Sequence, residues 1–363
     1  MATTNKTNKT NKTNKTNKTD FDEGELAGIG QASSLLLSEA LQSAMLAFKS
    51  RPFDIAADLW ARTSPDDYYR RLNGRHRSHL IGARLMQGLT VAQAPDYADL
   101  NRTARLSAGP ADLLKLGLDT RDTAGNVAFW KAQVEAIRAQ KWNRDDRLAE
   151  IVIQQSDIHS FLGLCLPIAA DTHPWLMVLL DSVQDVAFRV ATEIKDIMRM
   201  TRPDALAPDL APVIRTPSHS AFPSGHATEA FAAAAVLGGL YPKRYVQLRE
   251  MAGRIALNRG YAGVHYPVDH HAGAILGDLL GDHIATKVFG TSLRRGAAPY
   301  AEIVFDATTT PSAGLYSVSV EQYAILSPVL RLQPNKFAAG LPANGILTWL
   351  ADRVLGDVGS AGA

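Results

Sequence analysis

The sequence predicts a mostly α-helical protein, a bundle of helices with a small β hairpin near the C-terminus. The first reason is that apolar residues recur with a helical period in several long segments. The second is that Pro203, Gly260 and Pro267 stand at the expected ends or starts of such segments. The third is that strand-like alternation of apolar and polar residues is confined to Glu302–Asp306 and Leu315–Ile325.

The longest helix is predicted over Trp175–Met200, where apolar residues repeat every three or four positions. Pro203 is expected to end it, because the residue before a proline avoids the helical region. Gly260 is expected to end a second helix, and Pro267 occupies the first turn of a third. With these two included, the predicted helices besides Trp175–Met200 are Glu23–Lys49, Val127–Trp142, Asp146–Phe161, Ser224–Leu240, Lys243–Asn258, Pro267–Val288 and Ile346–Leu355.

Four regions are predicted along the chain. Residues 1–20 are a low-complexity tail with five Asn-Lys-Thr repeats, expected to be disordered because the repeats have no apolar side chains to bury. Residues 21–170 are expected to form a helical region packed on the core, although prolines interrupt residues 50–125, which we interpret as loops and short helices. Residues 171–290 are the predicted catalytic core, and residues 291–363 are a C-terminal extension.

The composition limits the function. A formal net charge of +2 over 363 residues argues against a nucleic-acid-binding surface. The single cysteine, Cys165, lies in an apolar run and is predicted to be a buried, unreactive thiol. The longest apolar run, Ala230 to Tyr241, is shorter than the roughly 18–20 residues that a bilayer crossing needs. With no secretory signal seen, these features predict a soluble protein without a membrane span, cytoplasmic by default. Apolar helices in the N-terminal half are compatible with a homo-oligomer.

Two cations begin a set of residues suited to a tetrahedral oxyanion. Lys195 and Arg202 are seven residues apart, two turns along the predicted helix, so both side chains can reach the same side. Guanidinium groups bind such anions well because their forked donors match two oxygens at once. The alternative is a solvated basic helix end, since Arg199 lies close by.

A second stretch, Pro223-Ser224-Gly225-His226, supplies donors of another kind. Gly225 lets the backbone approach a ligand, and Ser224 carries a hydroxyl group. A helix that begins here would direct its free N–H groups and its positive dipole end at the anion. His226 would stand beside the anion as a proton donor. The alternative is a plain helix start with a surface histidine.

The third stretch supplies the reactive atom. His265 and Asp269 are one helical turn apart, so the carboxylate can accept one ring N–H and leave the other nitrogen free to bond a central atom. Arg259 adds a further guanidinium group. His270 and His271 follow directly, but adjacent residues on a helix face different directions, so a metal shared with His265 is not expected.

In this order, the three stretches resemble the pattern of one superfamily, shared by type 2 phosphatidic acid phosphatases, bacterial class A acid phosphatases and vanadium-dependent haloperoxidases. The family pattern is Lys, six residues and Arg-Pro; then Pro-Ser-Gly-His; then Ser-Arg, five residues, His, three residues and Asp. The chain departs from it only at Asn258, where the family has serine. The resemblance covers Lys195–Asp269 and the helix through Val288, and it implies a helical bundle of the haloperoxidase/acid phosphatase type.

The resemblance also implies a role for each residue. His226 would be the acid–base group, His265 would bond to phosphorus or vanadium, and Asp269 would orient His265. The oxygens of the anion would be held by Lys195, Arg202, Ser224, the backbone N–H of Gly225, and Arg259.

Two branches of the superfamily remain open, and we favour the haloperoxidase branch. His219, seven residues before His226, resembles an extra histidine of bromoperoxidase-type enzymes. In this interpretation vanadate anchored by His265 oxidises a halide with hydrogen peroxide. The alternative is a soluble phosphomonoesterase that needs no cofactor and acts on a small phosphate ester through a phosphohistidine at His265. A third hypothesis is a non-catalytic helical binding protein.

Overall fold

The computed structural model describes residues 64–94, 102–293, 301–305 and 345–360. Its helices are α1 (Pro65–Arg71), α2 (Gly74–Met86), α3 (Ala124–Gln140), α4 (Leu148–Ile153), α5 (His159–Gly163), α6 (Pro174–Met198), α7 (Pro203–Leu206), α8 (Gly225–Leu240), α9 (Tyr245–Tyr261), α10 (Pro267–Phe289) and α11 (Ile346–Ser360). Its strands are β1 (Leu89–Gln93), β2 (Arg102–Ala108), β3 (Ala111–Leu118) and β4 (Ala301–Phe305). The prediction of a mostly α-helical protein is confirmed.

Helices α6, α8, α9 and α10 form the core of the bundle. Helix α6 is amphipathic and buries one stripe of apolar side chains, as its period predicts. In α8 and α10 almost every residue is buried, so these two helices lie at the centre of the bundle. A fully buried ion pair joins α9 to α10, with Arg249 Nη1 2.6 Å from Asp278 Oδ1.

The contact between α8 and α10 depends on a seam of glycines on α10. Cβ atoms built on Gly273, Gly277 and Gly281 would lie 2.6, 2.5 and 2.6 Å from α8 or the Ser224 carbonyl that precedes it. Such distances are far shorter than ordinary van der Waals contact, so the seam admits no side chain without a shift of backbone. The close approach holds the start of α8 against α10.

Helix α6 does not run to Pro203, and the expectation that this proline ends it was wrong. The helix ends at Met198, and Arg199 adopts a left-handed conformation with φ of 44°. Its backbone N–H donates to the carbonyl of Lys195, which is the usual way in which such a residue closes a helix. Arg202 therefore lies in an extended segment beyond the helix, and not two turns along it from Lys195.

Two other helix boundaries also differ from the prediction. The segment predicted as one helix, Asp146–Phe161, is broken into α4 and α5. The Asp157 carboxylate accepts a hydrogen bond from the Ser160 backbone N–H at 2.9 Å, which starts a new helix after the break. Gly260 lies inside α9, which continues to Tyr261, so this glycine does not end the helix. The absence of a side chain at Gly260 allows close contact with Gln140 and His270.

A four-stranded sheet, in the order β1-β2-β3-β4, packs against the bundle. The pairs β1/β2 and β2/β3 are antiparallel, and β3/β4 is parallel. Strands β1 to β3 lie where we had expected loops and short helices. The leucines and alanines of these strands are weak strand formers, which explains the error; the alternation of Leu114, Leu116 and Leu118 was the available signal. Strand β4 confirms the strand predicted at Glu302–Asp306, whereas Leu315–Ile325 lies outside the described residues.

The remaining predictions concern the N-terminal segment, Cys165 and membrane-spanning helices. The tail and the helix predicted at Glu23–Lys49 lie outside the described residues. Cys165 is half-buried, not buried as predicted, although burial still raises the pKa of its thiol. Of the helices that the structure describes, none combines the length and apolar character needed to cross a membrane.

The glycine seam predicts a difference between two substitutions. Gly277→Ala should lower the free energy of unfolding by about 1–3 kcal/mol, because its Cβ would meet the Thr228 carbonyl. Gly356→Ala is the matched control: that glycine is exposed on α11 with nothing within 4 Å, so alanine should raise stability by up to about 1 kcal/mol. Urea denaturation of both variants measures this. Equal effects would show that the seam does not restrict side-chain size.

Candidate active site

The three motifs converge on one cavity of about 60 Å³. Helix α6 contributes Lys195, the segment after it contributes Arg202 and His219, and the start of α8 contributes Gly225 and His226. Helix α9 contributes Arg259, and the loop before α10 contributes His265. The other lining residues are Gln155, Phe188, Ala191, Thr192, Ile214, Arg215, Pro217, Glu229 and Val264. A wider surface groove of about 770 Å³ shares Lys195, Arg202 and His219 with this cavity.

The hydrogen bonds of His265 fix its tautomer. Its Nδ1 lies 2.9 Å from Asp269 Oδ2, and its Nε2 lies 3.1 Å from Nη1 of Arg202. Because a guanidinium nitrogen can only donate, Nε2 must be the acceptor and Nδ1 must carry the proton. The Tyr266 backbone N–H also donates to Asp269 Oδ2 and holds the carboxylate in place. The unprotonated Nε2 is the nitrogen that could bond a central atom.

Backbone carbonyl groups position Lys195 and Arg202. The Lys195 ammonium donates to the carbonyls of Ser220 and Ala221, at 2.8 and 3.2 Å. Arg202 donates to the carbonyls of His219 and Val264, at 3.0 and 2.6 Å. Neither cation forms an ion pair with a carboxylate of the described residues. Both side chains are therefore held in place without an ion pair, and burial lowers the pKa of each.

Arg259 is almost fully buried and only partly bonded. Its Nη2 donates to the carbonyl of Ile151 and to Oε1 of Gln154. Its Nε and Nη1 atoms have no hydrogen-bond partner among the residues that the structure describes. A buried donor without an acceptor costs stability, so two on one guanidinium group indicate a site for an anion.

His226 is tied to the break between α4 and α5. Its Nε2 lies 2.9 Å from the backbone carbonyl of Gln154, so Nε2 carries the proton in the neutral ring. Nδ1 is then the nitrogen that can take up and release a second proton. The break in the predicted helix leaves this carbonyl free to accept.

The start of α8 provides further donors. The Ser224 side chain caps the helix by accepting from the Ala227 N–H, and Ser224 is fully buried rather than part of the cavity lining. The backbone N–H groups of Gly225 and His226 donate to none of the described residues, so they are free for an anion. The Ser224 N–H donates to the Asp269 carbonyl at 2.9 Å, which links the second motif to the third.

Burial and neighbouring cations control the ionisation of the histidines in the cavity. Burial and the charge of Arg259 lower the pKa of His226 to about 3. Burial and the charges of Lys195 and Arg202 lower the pKa of His219 to about 4. The same causes hold the pKa of His265 well below its usual value. All three rings are therefore neutral at neutral pH.

Gln154 and Glu229 belong to this site although neither is part of the three motifs. Asn258, which stands where the family pattern has serine, also contributes to the site. Gln154 accepts from both Arg259 and Asn258 through Oε1, so the asparagine at the family's serine position helps to hold the glutamine. Glu229 lines the cavity one turn after Gly225. For Glu229, the signal available in the sequence was a carboxyl group four residues after Gly225 on the same helix face. The contact with Gln154 joins positions about a hundred residues apart and has no local signal.

The histidine pair after Asp269 does not line the cavity. His270 is buried, and its ring centre lies 6.0 Å from that of His265. His271 is buried too, and its Nδ1 donates to the Pro267 carbonyl.

Comparison with known proteins finds one superfamily that is similar to the part of the chain around this cavity. Residues 176–290 match the model of the PAP2 superfamily. Decaprenylphosphoryl-5-phosphoribose phosphatase of Mycobacterium tuberculosis is 42% identical over 99 residues, which are 26% of this chain and 52% of that protein. The chain thus spans about half the length of this relative.

Two solved structures are similar over part of the chain. One is the first transmembrane PAP2-type phosphatidylglycerolphosphate phosphatase from Bacillus subtilis, with a TM-score of 0.34 and 21% identity, covering 44% of this chain and 84% of that one. The other is the first bacterial vanadium-dependent iodoperoxidase, with a TM-score of 0.35 and 19% identity, covering 45% of this chain and 49% of that one. The match of residues 176–290 to the PAP2 superfamily model spans the three motifs that surround the cavity.

Proposed function

We propose that the protein is a phosphomonoesterase that transfers the phosphoryl group of a small phosphate ester first to His265 and then to water. The observation that carries this proposal is the unprotonated Nε2 of His265, held inside a cavity lined by Lys195, Arg202 and Arg259. The phosphatase relative supports this branch over the haloperoxidase branch that the sequence had favoured.

In the first step, His265 Nε2 attacks phosphorus as the bond from phosphorus to the ester oxygen breaks. The phosphoryl oxygens are held by the free donors of Arg259 and by the N–H groups at the start of α8. Negative charge on the bound phosphoryl group raises the pKa of His226, so that Nδ1 carries a proton when substrate is present. That proton goes to the oxygen of the leaving alcohol.

In the second step, water attacks the phosphohistidine. His226 Nδ1, now neutral, takes one proton from the water as the new oxygen–phosphorus bond forms and the nitrogen–phosphorus bond breaks. Inorganic phosphate leaves, and His265 returns to the tautomer that Asp269 stabilises. Asp269 accepts the Nδ1–H of His265 throughout, so the imidazolium charge that develops during the attack is stabilised.

Substitution of the nucleophile tests the proposal directly. His265→Ala should lower kcat/KM for phosphate-ester hydrolysis at least about 10³-fold, because no covalent intermediate can form. Rapid quenching of the wild type at alkaline pH should trap phosphate on the peptide that contains His265, detected by mass spectrometry. The exposed His76 provides a control, and His76→Ala should retain full activity. Phosphate found on a different residue would contradict the mechanism.

The role of His226 predicts a dependence on the leaving group. His226→Ala should lower kcat/KM about 10²–10⁴-fold for an alkyl phosphate, whose alkoxide needs a proton. The loss in kcat/KM should be much smaller for p-nitrophenyl phosphate, because nitrophenolate leaves without a proton and kcat/KM does not include the later hydrolysis of the phosphohistidine. Parallel kinetics on the two substrates measure the ratio, and an equal loss of kcat/KM on both would contradict the role of His226 as proton donor to the leaving group.

A vanadium-dependent haloperoxidase is the second candidate, and His219 is the observation that favours it. Nη2 of Arg202 lies 3.1 Å from Nδ1 of His219, which places an additional imidazole at the edge of the cavity. The unpartnered donors of Arg259 fit the oxygens of vanadate as they fit those of phosphate, and His265 Nε2 would hold the metal. Bound vanadate would supply the activation of hydrogen peroxide for halide oxidation.

One preparation distinguishes the two candidates. A phosphatase should hydrolyse phosphate esters without added metal, with orthovanadate as a competitive inhibitor. A haloperoxidase should brominate a phenolic dye only after incubation with orthovanadate, given bromide and peroxide. We expect hydrolysis and no vanadate-dependent bromination. The opposite pair of results would replace the proposal with the second candidate.

A further inference from the structure

One carboxyl group lies in the cavity among the cations, and the mechanism above does not use it. Glu229 is only 2% exposed, and its Oε2 accepts a hydrogen bond from Gln184 Nε2 at 2.9 Å. Its Oε1 forms no hydrogen bond or ion pair with any residue that the structure describes. Oε1 lies 3.8 Å from the position that a Cβ atom on Gly225 would occupy, next to the free N–H groups of α8.

A negative charge at this position would oppose the binding of an anion. The cavity lining nevertheless includes this carboxyl together with the donors that would hold a phosphoryl group. The conflict disappears if the carboxyl is neutral, since a carboxylic acid is a hydrogen-bond donor. Lys195 and Asp185 from α6 act on it directly. The other charged and titratable groups that line the same cavity are Arg202, Arg215, His219, His226, Arg259 and His265.

The surroundings of Glu229 favour the neutral form and fix its proton. Burial raises the pKa of Glu229 to about 8; the hydrogen bond from Gln184 and the charge of Lys195 oppose the rise, and the charge of Asp185 adds to it. Because the amide of Gln184 donates to Oε2, Oε2 is the carbonyl oxygen of the acid. The proton is therefore on Oε1, the atom near the start of α8.

We propose that Glu229 is a further catalytic residue, a neutral carboxylic acid whose Oε1–H donates a hydrogen bond to an oxygen of the bound phosphoryl group. The proposal rests on the proposed phosphomonoesterase function. It adds a hydrogen-bond donor that is present only while the Glu229 carboxyl is protonated. When Glu229 loses its proton, the donor is lost and a negative charge faces the anion instead. Anion affinity should therefore fall as the pH rises through the range in which Glu229 ionises.

The variant Glu229→Gln tests this with almost no change of shape. Its amide can accept from Gln184 through one atom and donate to the phosphoryl group through the other, and it does not titrate. Isothermal titration calorimetry with inorganic phosphate should give equal dissociation constants for wild type and variant at pH 6. At pH 9.5 the wild type should bind about tenfold or more weakly than the variant. The protonation of phosphate itself affects both proteins equally and cancels in the ratio.

Two further variants support the comparison. Asp185→Asn removes a negative charge near Glu229 without changing the cavity lining, and its pH dependence should follow the wild type within about twofold. Glu229→Leu removes the donor and should bind phosphate about tenfold more weakly at pH 6. Superimposed curves for wild type and Glu229→Gln would overturn the proposal, as would a tenfold loss in Glu229→Gln at pH 6.

A measurement on the wild type keeps the proposal testable if a variant does not fold. Titrations at pH 6 and pH 9 in buffers of different ionisation enthalpy give the protons that the protein takes up with phosphate, after correction for the ionisation of phosphate itself. The uptake at pH 6, where Glu229 is already protonated, is the reference for groups such as His226, and ionised Glu229 should add close to one proton at pH 9. No added uptake would also overturn the proposal. Assays of the wild type distinguish failure of the Glu229 proposal from failure of the proposed function. If the wild type neither binds phosphate nor hydrolyses phosphate esters, the proposed function itself fails. If it does both and only the Glu229 predictions fail, the phosphomonoesterase proposal stands.

Discussion

Three buried cations around one small cavity are the constraint on which the rest of the structure depends. Lys195, Arg202 and Arg259 are each less than 7% exposed, and moving such a charge out of water costs several kcal/mol. The fold compensates with backbone carbonyls and not with carboxylates. Carbonyl groups orient a cation and leave its charge in place. The cavity is therefore lined by positive groups that an incoming anion can neutralise.

This arrangement explains why the site is assembled from so many elements. The carbonyls that hold Lys195 lie just before Pro223, and the carbonyl bonded to Arg202 Nη1 belongs to the residue before His265. The residues just before the second and third motifs thus fix the two cations of the first motif. The glycine seam of α10 and the bond from the Ser224 N–H to the Asp269 carbonyl bring the second and third motifs into contact. The geometry of the cavity is consequently a property of the bundle and not of any one helix.

Much of the bundle could be predicted from the sequence, because its signals are local. Periodic apolar residues indicated α6 and α9, and a proline in the first turn indicated the start of α10. The convergence of the predicted binding residues followed from the order of the motifs and their resemblance to a family.

The end of α6 at Met198 was not predictable in this way, since Arg199 carries no glycine-like signal for a left-handed conformation. The strands were missed because leucine and alanine at Leu114 and Ala104 favour helices. The contacts of Gln154 depend on which distant segments meet in the folded chain, and local patterns do not contain that information.

The break between α4 and α5 has a consequence for any attempt to transplant this chemistry. Ile151 and Gln154 precede the stretch that matches the superfamily model, and yet they bind Arg259 and His226. A chimaera that grafts the matched helices onto another scaffold would leave a guanidinium and an imidazole without their acceptors. Arg259 and His226 would then no longer be held in position. The graft would contain every motif but not the geometry of the cavity. A graft of this site therefore has to carry the segment around Ile151 and Gln154 along with the core.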